Sequence, residues 1–184
     1  MRRVWSALLS ALLLSAFLLG GPGCSERPRG PTAALMDGPA PALDLPIAAG
    51  AGAAEGDRVS LEALRGQVVL LDFWAGWCGP CRQSIPALNR VHARYGDRIT
   101  MLGVNIEGGL PRSRVQAAHT RFGAEFPSLQ DVRGEAQARY RVQSIPTLVL
   151  IDRAGMVRWV EAGVPNADAL MERVEDLVTS EAQH

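Results

Sequence analysis

Two cysteines two residues apart, Cys78 and Cys81, are the part of this sequence best suited to chemistry. They flank Gly79-Pro80, follow a strongly apolar segment and open a segment with helical periodicity. A cysteine at the start of a helix lies near free N–H groups and the positive end of the helix dipole, which favour its thiolate and lower its pKa. We therefore predict that Cys78 is the more exposed, attacking thiol. Cys81, one turn further on, would attack the resulting mixed disulfide and release the product.

Three other uses of a cysteine pair fit this sequence less well. A zinc site needs a second such pair or added histidines, but Cys24 lies in the N-terminal tail, and His92 and His119 fall on helix faces. A purely structural disulfide across so short a loop would stabilise little, because loop-closure entropy grows with loop length. Haem attachment requires a histidine where this chain has Arg82. We expect no metal, and no cofactor beyond the Cys78–Cys81 disulfide itself.

The elements on either side of the cysteines place them at a strand–helix junction. Residues 68–74 form an apolar run with β-branched and aromatic side chains, typical of a central strand buried on both faces. Helical periodicity over residues 80–95 ends at Gly96, and Pro86 is expected to kink that helix. Pro80 suits the first turn, where its missing N–H costs nothing.

The remaining pattern alternates strands and helices. The Gly/Ala segment 48–56 is expected to join two short strands. Further elements are predicted as strand 99–106, helix 111–122, short helix 134–140, strands 147–151 and 156–162, and a last helix that Asn166 caps. The βαβ start implies parallel pairing with helices on both faces, and the closing hairpin adds antiparallel strands. The predicted class is α/β with a central mixed sheet.

Composition indicates one globular domain with a tail. The chain has 184 residues, 47% of them hydrophobic, and a formal net charge of zero. That balance argues against a disordered chain and against a nucleic-acid-binding chain. All positively charged side chains are arginine, so a lysine Schiff base is excluded.

The pattern of residues 1–23 indicates a signal peptide that is not part of the folded domain. Two arginines precede an apolar run over residues 4–19, and small residues follow up to Cys24. We assign 1–23 as the signal; the alternative is an uncleaved anchor. Cys24 resembles the lipid-bearing cysteine of bacterial lipoproteins, although Gly21 and Pro22 depart from the usual residues before it. The alternative there is ordinary cleavage that leaves a spare thiol.

The composition of the chain after Cys24 predicts where the folded domain begins and ends. Residues 24–40 are rich in Gly, Pro and Arg and show no periodicity, so a flexible tether is predicted. The domain is expected to span residues 41–180, with 181–184 as a tail. No internal repeat is visible in the sequence.

Residues 72–81, Asp-Phe-Trp-Ala-Gly-Trp-Cys-Gly-Pro-Cys, are similar to the active-site segment of thioredoxin. The wider pattern resembles the envelope-facing TlpA/ResA-type thioredoxin-like oxidoreductases. Segment 60–69, an extra strand and helix at about 103–130, and segment 140–155 carry this second resemblance, which covers residues 40–180. It implies a thioredoxin fold with an N-terminal β extension and a central strand–helix insertion.

The resemblance also implies a docking site for substrate. Ile145-Pro146 would form the cis-proline loop that faces the two cysteines and offers a backbone edge to an extended substrate. Trp77 would shield the sulfurs and, with Gly79 and Pro80, form part of the docking surface. The alternative for Trp77 is ordinary packing.

Asp72 is a carboxylic acid inside an apolar strand, so burial should raise its pKa toward neutrality. Such an acid beneath Cys81 would take up and return the proton of that thiol. The alternative is an aspartate with a structural hydrogen bond only. Many TlpA/ResA-type proteins have Asn at this place and an acid three residues after the second cysteine, where this chain has Ser84. We therefore assign the acid–base role to Asp72.

The function implied is reduction of disulfides in periplasmic proteins, with cytochrome c apoproteins as the substrate class most often implied. Electrons would come from a membrane donor of the DsbD/CcdA type, and lipid on Cys24 would anchor the protein to the membrane. Alternatives are a dithiol oxidase or isomerase, a thiol peroxidase, and a non-catalytic redox-sensing binding module. The peroxidase would need a Pro-x-x-x-Thr-x-x-Cys arrangement, which the residues before Cys78 do not provide.

Overall fold

The computed structural model describes residues 30–50, 54 and 56–180. The predicted signal peptide, Cys24 and the tail 181–184 lie outside the described residues. The strands are β1 Asp44–Ala49, β2 Arg58–Ser60, β3 Val68–Trp74, β4 Ile99–Asn105, β5 Ser128–Gln130, β6 Thr147–Ile151 and β7 Val157–Ala162. The helices are α1 Gly79–Tyr95, α2 Arg112–Phe122, α3 Glu135–Arg139 and α4 Ala167–Ser180. No helix in this described part is long and apolar enough to cross a membrane.

The strands form one mixed sheet in the order β2-β1-β5-β4-β3-β6-β7. Strands β3, β4 and β5 are parallel, as expected for strands joined by the crossover helices α1 and α2. The pairs β3–β6 and β6–β7 are antiparallel, as are β1–β2 and β1–β5. The predicted α/β class and mixed sheet are confirmed. Strand β1 with β2 is the N-terminal β extension, and α2 with β5 is the central insertion.

Strand β3 lies at the centre of the core, and all seven of its residues are buried. Val68 and Leu70 pack on the side of α1 and α4, whereas Leu71 and Phe73 pack with Tyr140 beyond α3. Helices therefore cover both faces of the sheet, as expected. Helix α1 continues through Pro86 without interruption.

The segment before β1 corrects one expected boundary. Residues 31–40 were predicted as part of the flexible tether, but they pack against the edge strand β7. The Asp37 N–H donates to the Val157 carbonyl at 2.8 Å, and the Val157 N–H donates to the Gly38 carbonyl at 2.9 Å. Thr32 is buried and lies in a 3-10 turn. A sequence without periodicity can still pair its backbone with an exposed sheet edge, which is why composition alone misplaced this boundary.

Tyr140 links this N-terminal segment to the core, and Tyr140→Phe tests that link. Its buried hydroxyl donates to the Pro41 carbonyl at 2.9 Å. We expect Tyr140→Phe to lower the free energy of unfolding by about 1 kcal/mol, because the carbonyl loses its partner. Urea unfolding measures this. Tyr95→Phe is the control, since that buried tyrosine forms no side-chain hydrogen bond within the described residues. Equal losses in the two variants would contradict the assignment.

Candidate active site

Cys78 and Cys81 lie at the junction of β3 and α1. Cys78 is the N-cap residue of the helix, and its sulfur accepts a hydrogen bond from the Cys81 N–H at 3.0 Å. Pro80 lies in the first turn, as predicted. The two sulfurs form a disulfide. In this oxidised form Cys78 is 3% exposed and Cys81 1%, so the expected difference in exposure is small.

The loop before β6 faces this disulfide. The Ile145–Pro146 peptide bond is cis, and the Ile145 carbonyl oxygen lies 3.7 Å from the Cys78 sulfur. The loop is closed by the Thr147 hydroxyl, which donates to the Ser144 carbonyl at 2.7 Å. The structure thus brings together the two segments, 78–81 and 145–146, that sequence similarity implied would meet.

Asp72 occupies the middle of β3, paired with Gly103 on one side and Leu148 on the other. Its side chain is buried, and Oδ1 has no hydrogen-bond partner among the described residues. Burial raises the pKa of the Asp72 carboxyl to about 7. A carboxyl with that pKa and a free oxygen can exchange a proton near neutral pH, which a structurally hydrogen-bonded aspartate could not do as readily.

A small, largely apolar cavity lies beside Asp72. Ile85, His119 and Phe122 are among the residues that line it together with Asp72. Ser84 is buried and donates its hydroxyl hydrogen to the Pro80 carbonyl at 3.2 Å. Ser84 therefore supplies no titrating group.

His119 and Trp74 are packing residues of the core. The His119 Nε2 lies 2.8 Å from the Phe126 carbonyl, and burial lowers the pKa of His119. Trp74 is buried, and its indole N–H donates to the Ser128 hydroxyl at 2.8 Å. Both polar atoms are satisfied inside the core.

Trp77 stands apart from the other aromatic residues because its side chain is 72% exposed, which rules out ordinary packing. Three more large apolar side chains are exposed within the described residues: Leu110, Val132 and Val164. Together with Trp77 they follow β3, β4, β5 and β7, whose carboxyl ends share one edge of the sheet. We call these four residues the apolar rim. In the strand order β4 and β5 lie on one side of β3 and β7 lies on the other, so the rim residues come from both sides of the strand that leads to the disulfide.

Sequence reasoning found Trp77 but missed the other three members of the rim. Each is a single apolar residue in a loop, with no motif or periodicity around it. Only the strand order places them at one edge. No group of three or more His, Cys, Asp or Glu side chains within the described residues could hold a metal ion.

Comparison with known proteins identifies the family. The model of the AhpC/TSA family matches residues 36–160, more than half of the chain. This chain belongs to the AhpC/TSA family. The chain is 31% identical to the thioredoxin-like protein YneN of Bacillus subtilis over 121 residues, which is 65% of this chain and 71% of YneN.

Two further matches are to thiol–disulfide oxidoreductases. The chain is 32% identical over 124 residues to the thiol-disulfide oxidoreductase ResA of Geobacillus thermodenitrificans, covering 67% of this chain and 70% of ResA. A Chlorobium tepidum crystal structure, assigned as a thiol:disulfide interchange protein DsbE, matches with a TM-score of 0.65 and 34% identity. That match covers 76% of this chain and 95% of the other. This chain is therefore a thiol–disulfide oxidoreductase of the TlpA/ResA type with a thioredoxin fold, as its resemblance to that family implied.

Proposed function

We propose that this oxidoreductase reduces disulfide bonds of other proteins in the periplasm, with cytochrome c apoproteins as its substrate class. The observation that carries the proposal is the position of Cys78. Its sulfur lies beside the Ile145 carbonyl, after the carboxyl end of β3, and the apolar rim follows the carboxyl ends of strands at this same end of the sheet. An extended polypeptide can pair with the loop at Ile145 while its apolar side chains contact the rim. The site therefore suits a protein disulfide better than a small-molecule disulfide.

The catalytic cycle transfers two electrons from the dithiol to the substrate. The Cys78 thiolate attacks one sulfur of the substrate disulfide, forms a mixed disulfide and displaces the first substrate thiolate. Asp72, as the carboxylate, accepts the proton of the Cys81 thiol. The Cys81 thiolate then attacks the Cys78 sulfur, forms the intramolecular disulfide and displaces the second substrate thiolate. Asp72 returns its proton when a reductant opens the Cys78–Cys81 disulfide again.

The proposed location is the cell envelope, with the domain tethered to a membrane. Residues 1–23 would direct export, and lipid on Cys24 would anchor the protein. Because the disulfide must be reduced again outside the cytoplasm, a membrane protein of the DsbD/CcdA type would supply the electrons. The packing of residues 31–40 against β7 shortens the tether to about the segment before residue 31. The domain would therefore work close to its anchor.

The direction of electron flow predicts the reduction potential. This chain resembles thioredoxin both in the Gly79-Pro80 pair between its cysteines and in the buried acid Asp72. We therefore expect a reduction potential near that of thioredoxin, about −270 mV. Equilibration with dithiothreitol or glutathione buffers, followed by alkylation and mass measurement of the free thiols, gives the value. A Cys78→Ser/Cys81→Ser variant is the control for unrelated thiols. A potential near −120 mV, typical of a strong oxidase, would overturn the proposed direction.

A thiol peroxidase is not favoured by any feature of the site. The place three residues before Cys78, where the peroxidase motif needs a threonine, holds Ala75. Ala75 is fully buried and offers no hydroxyl to a peroxide.

A further inference from the structure

Gly76, two residues before Cys78, is held by hydrogen bonds from both sides. Its N–H donates to the Glu107 Oε2 at 2.5 Å. Its carbonyl accepts from the Arg121 Nη2 at 3.0 Å. These bonds fix both peptide units that flank Gly76, and the second of those units leads directly into Trp77. We call Glu107, Gly76 and Arg121 the Gly76 clamp.

The carboxylate of the clamp is itself fixed in place. The Asn105 side-chain amide donates to the Glu107 Oε2 at 3.1 Å, and the Glu107 N–H donates to the Asn105 Oδ1 at 3.1 Å. Asn105 is fully buried at the end of β4. The loop that follows is tied down by Gln130, whose side-chain amide donates to the Leu110 carbonyl at 2.8 Å. Glu107 is thus set in position before any substrate arrives.

Close packing adds to these bonds. A Cβ atom on Gly76 would lie 2.9 Å from the Ala118 Cβ and 3.1 Å from the Glu107 Oε2. The loop backbone therefore rests directly against α2, and a residue larger than glycine would push it away. Ala118 and Arg121 belong to α2, and Glu107 lies in the loop that leads into it. All three partners of Gly76 come from this one stretch of chain.

Trp77 depends on this arrangement because its exposed side chain has little packing of its own. Its direction is set by the backbone between Gly76 and Cys78. We propose that Glu107 and Arg121 are positioning residues that act through Trp77, holding it where a protein substrate docks. The inference rests on the proposed function, since it assigns to these residues the placement of a docking side chain for protein disulfides. Neither residue touches the reacting sulfurs in this role.

The test compares a protein substrate with a small disulfide. Reduction of insulin, with dithiothreitol as the electron source, gives kcat and KM for the wild type and for Glu107→Ala, Glu107→Gln and Arg121→Ala. Reaction of the reduced proteins, each also carrying Cys24→Ser, with 5,5′-dithiobis(2-nitrobenzoate) reports the reactivity of the Cys78/Cys81 dithiol without docking. Glu107→Ala should raise the KM for insulin about tenfold, the size of one lost hydrogen bond to a charged group. Its rate with the small disulfide should stay unchanged, and Glu107→Gln, which keeps an acceptor for Gly76, should recover most of the loss.

A double-mutant cycle with Trp77→Ala separates this role from a general effect on the fold. If the clamp acts through Trp77, adding Glu107→Ala to Trp77→Ala raises the KM no further. A full additional tenfold rise, or an equal loss with the small disulfide, would overturn the inference. Glu172→Ala, on the exposed side of α4, is the matched control and should leave both rates unchanged. If Glu107→Ala does not fold, the same double-mutant cycle is measured with Arg121→Ala, a substitution at an exposed residue.

Failure of the inference differs from failure of the proposed function. A wild-type protein that reduces insulin no faster than dithiothreitol alone would reject the proposed function. Normal wild-type turnover together with an unchanged KM in Glu107→Ala and Arg121→Ala would reject the clamp alone.

Discussion

Replacing Cys78 with serine is expected to lower insulin reduction to the rate of dithiothreitol alone, whereas Cys81→Ser should stop the cycle one step later. Cys78 caps α1 and lies beside the Ile145 carbonyl, so its thiolate is the one that a docked substrate meets. Without Cys81, the mixed disulfide between Cys78 and the substrate has no internal attacker and accumulates. The two serine variants therefore fail in different ways: one forms no adduct, and the other retains it.

Trapping experiments in the native host measure this difference. Proteins linked to Cys81→Ser are separated without reductant, released with dithiothreitol and identified by mass spectrometry. Because Cys24 is the third cysteine of the chain, and a free thiol wherever it carries no lipid, each variant is also made with Cys24→Ser. Adducts that persist in Cys24→Ser/Cys81→Ser and vanish in Cys78→Ser support the assignment. Equal adducts through Cys81 in the Cys78→Ser protein would reverse the roles of the two cysteines.

The same experiment tests the proposed partners. Apocytochromes c among the trapped proteins would support the substrate class. A membrane protein with its own cysteine pair would identify the electron donor.

The chemistry was predictable from the sequence because it is local. A buried strand, a strand–helix junction and two cysteines follow one another within residues 68–81, so neighbouring residues specify each other's environment. The burial of Asp72 follows from the apolar residues on both sides of it, and this burial raises the pKa of its carboxyl. The position of Ile145 and Pro146 required family resemblance, since nothing in their own segment points to the cysteines.

Features that depend on strand order could not be read from the sequence. The apolar rim joins residues that follow four different strands, and the Gly76 clamp brings Glu107 and Arg121 to Gly76 from 31 and 45 positions away. Strand β5 has three residues, too few to show an alternating pattern, and was expected only as part of an insertion. Residues 31–40 gain their structure from pairing with β7 rather than from their own composition.

Asp72→Asn is expected to stabilise the protein above neutral pH while slowing its exchange reaction. Burial moves the pKa of the carboxyl from 3.8 to about 7 in the folded state. Between these two values the unfolded chain is ionised at Asp72 and the folded chain is protonated, so the contribution of this group to stability falls as pH rises. The fall is about 1.4 kcal/mol per pH unit, or roughly 4 kcal/mol in all, and it levels off above pH 7.

Urea unfolding of the wild type and Asp72→Asn at several pH values measures the stability effect. The difference between the two proteins should be small near pH 4 and grow to roughly 4 kcal/mol at pH 8. Asp176→Asn, at an exposed position of α4, is the control and should show no such growth. A constant difference across this pH range would mean that the pKa of Asp72 is not raised in the folded protein.

The kinetic effect of Asp72→Asn has the opposite sign. Ionised Asp72 accepts the Cys81 proton, so in the wild type the rate at which the mixed disulfide is resolved should rise as pH passes through about 7. Asparagine cannot accept that proton, and at pH 8 we expect resolution to slow about 100-fold and to lose this rise. Rapid-mixing measurements of product release from a preformed mixed disulfide give the rate directly. A variant that merely disturbed the fold would lose both stability and activity. Removal of a base from a buried site should instead raise the stability and lower the activity. An unchanged rate would mean that the Cys81 proton leaves by another route, even if the stability profile behaves as expected.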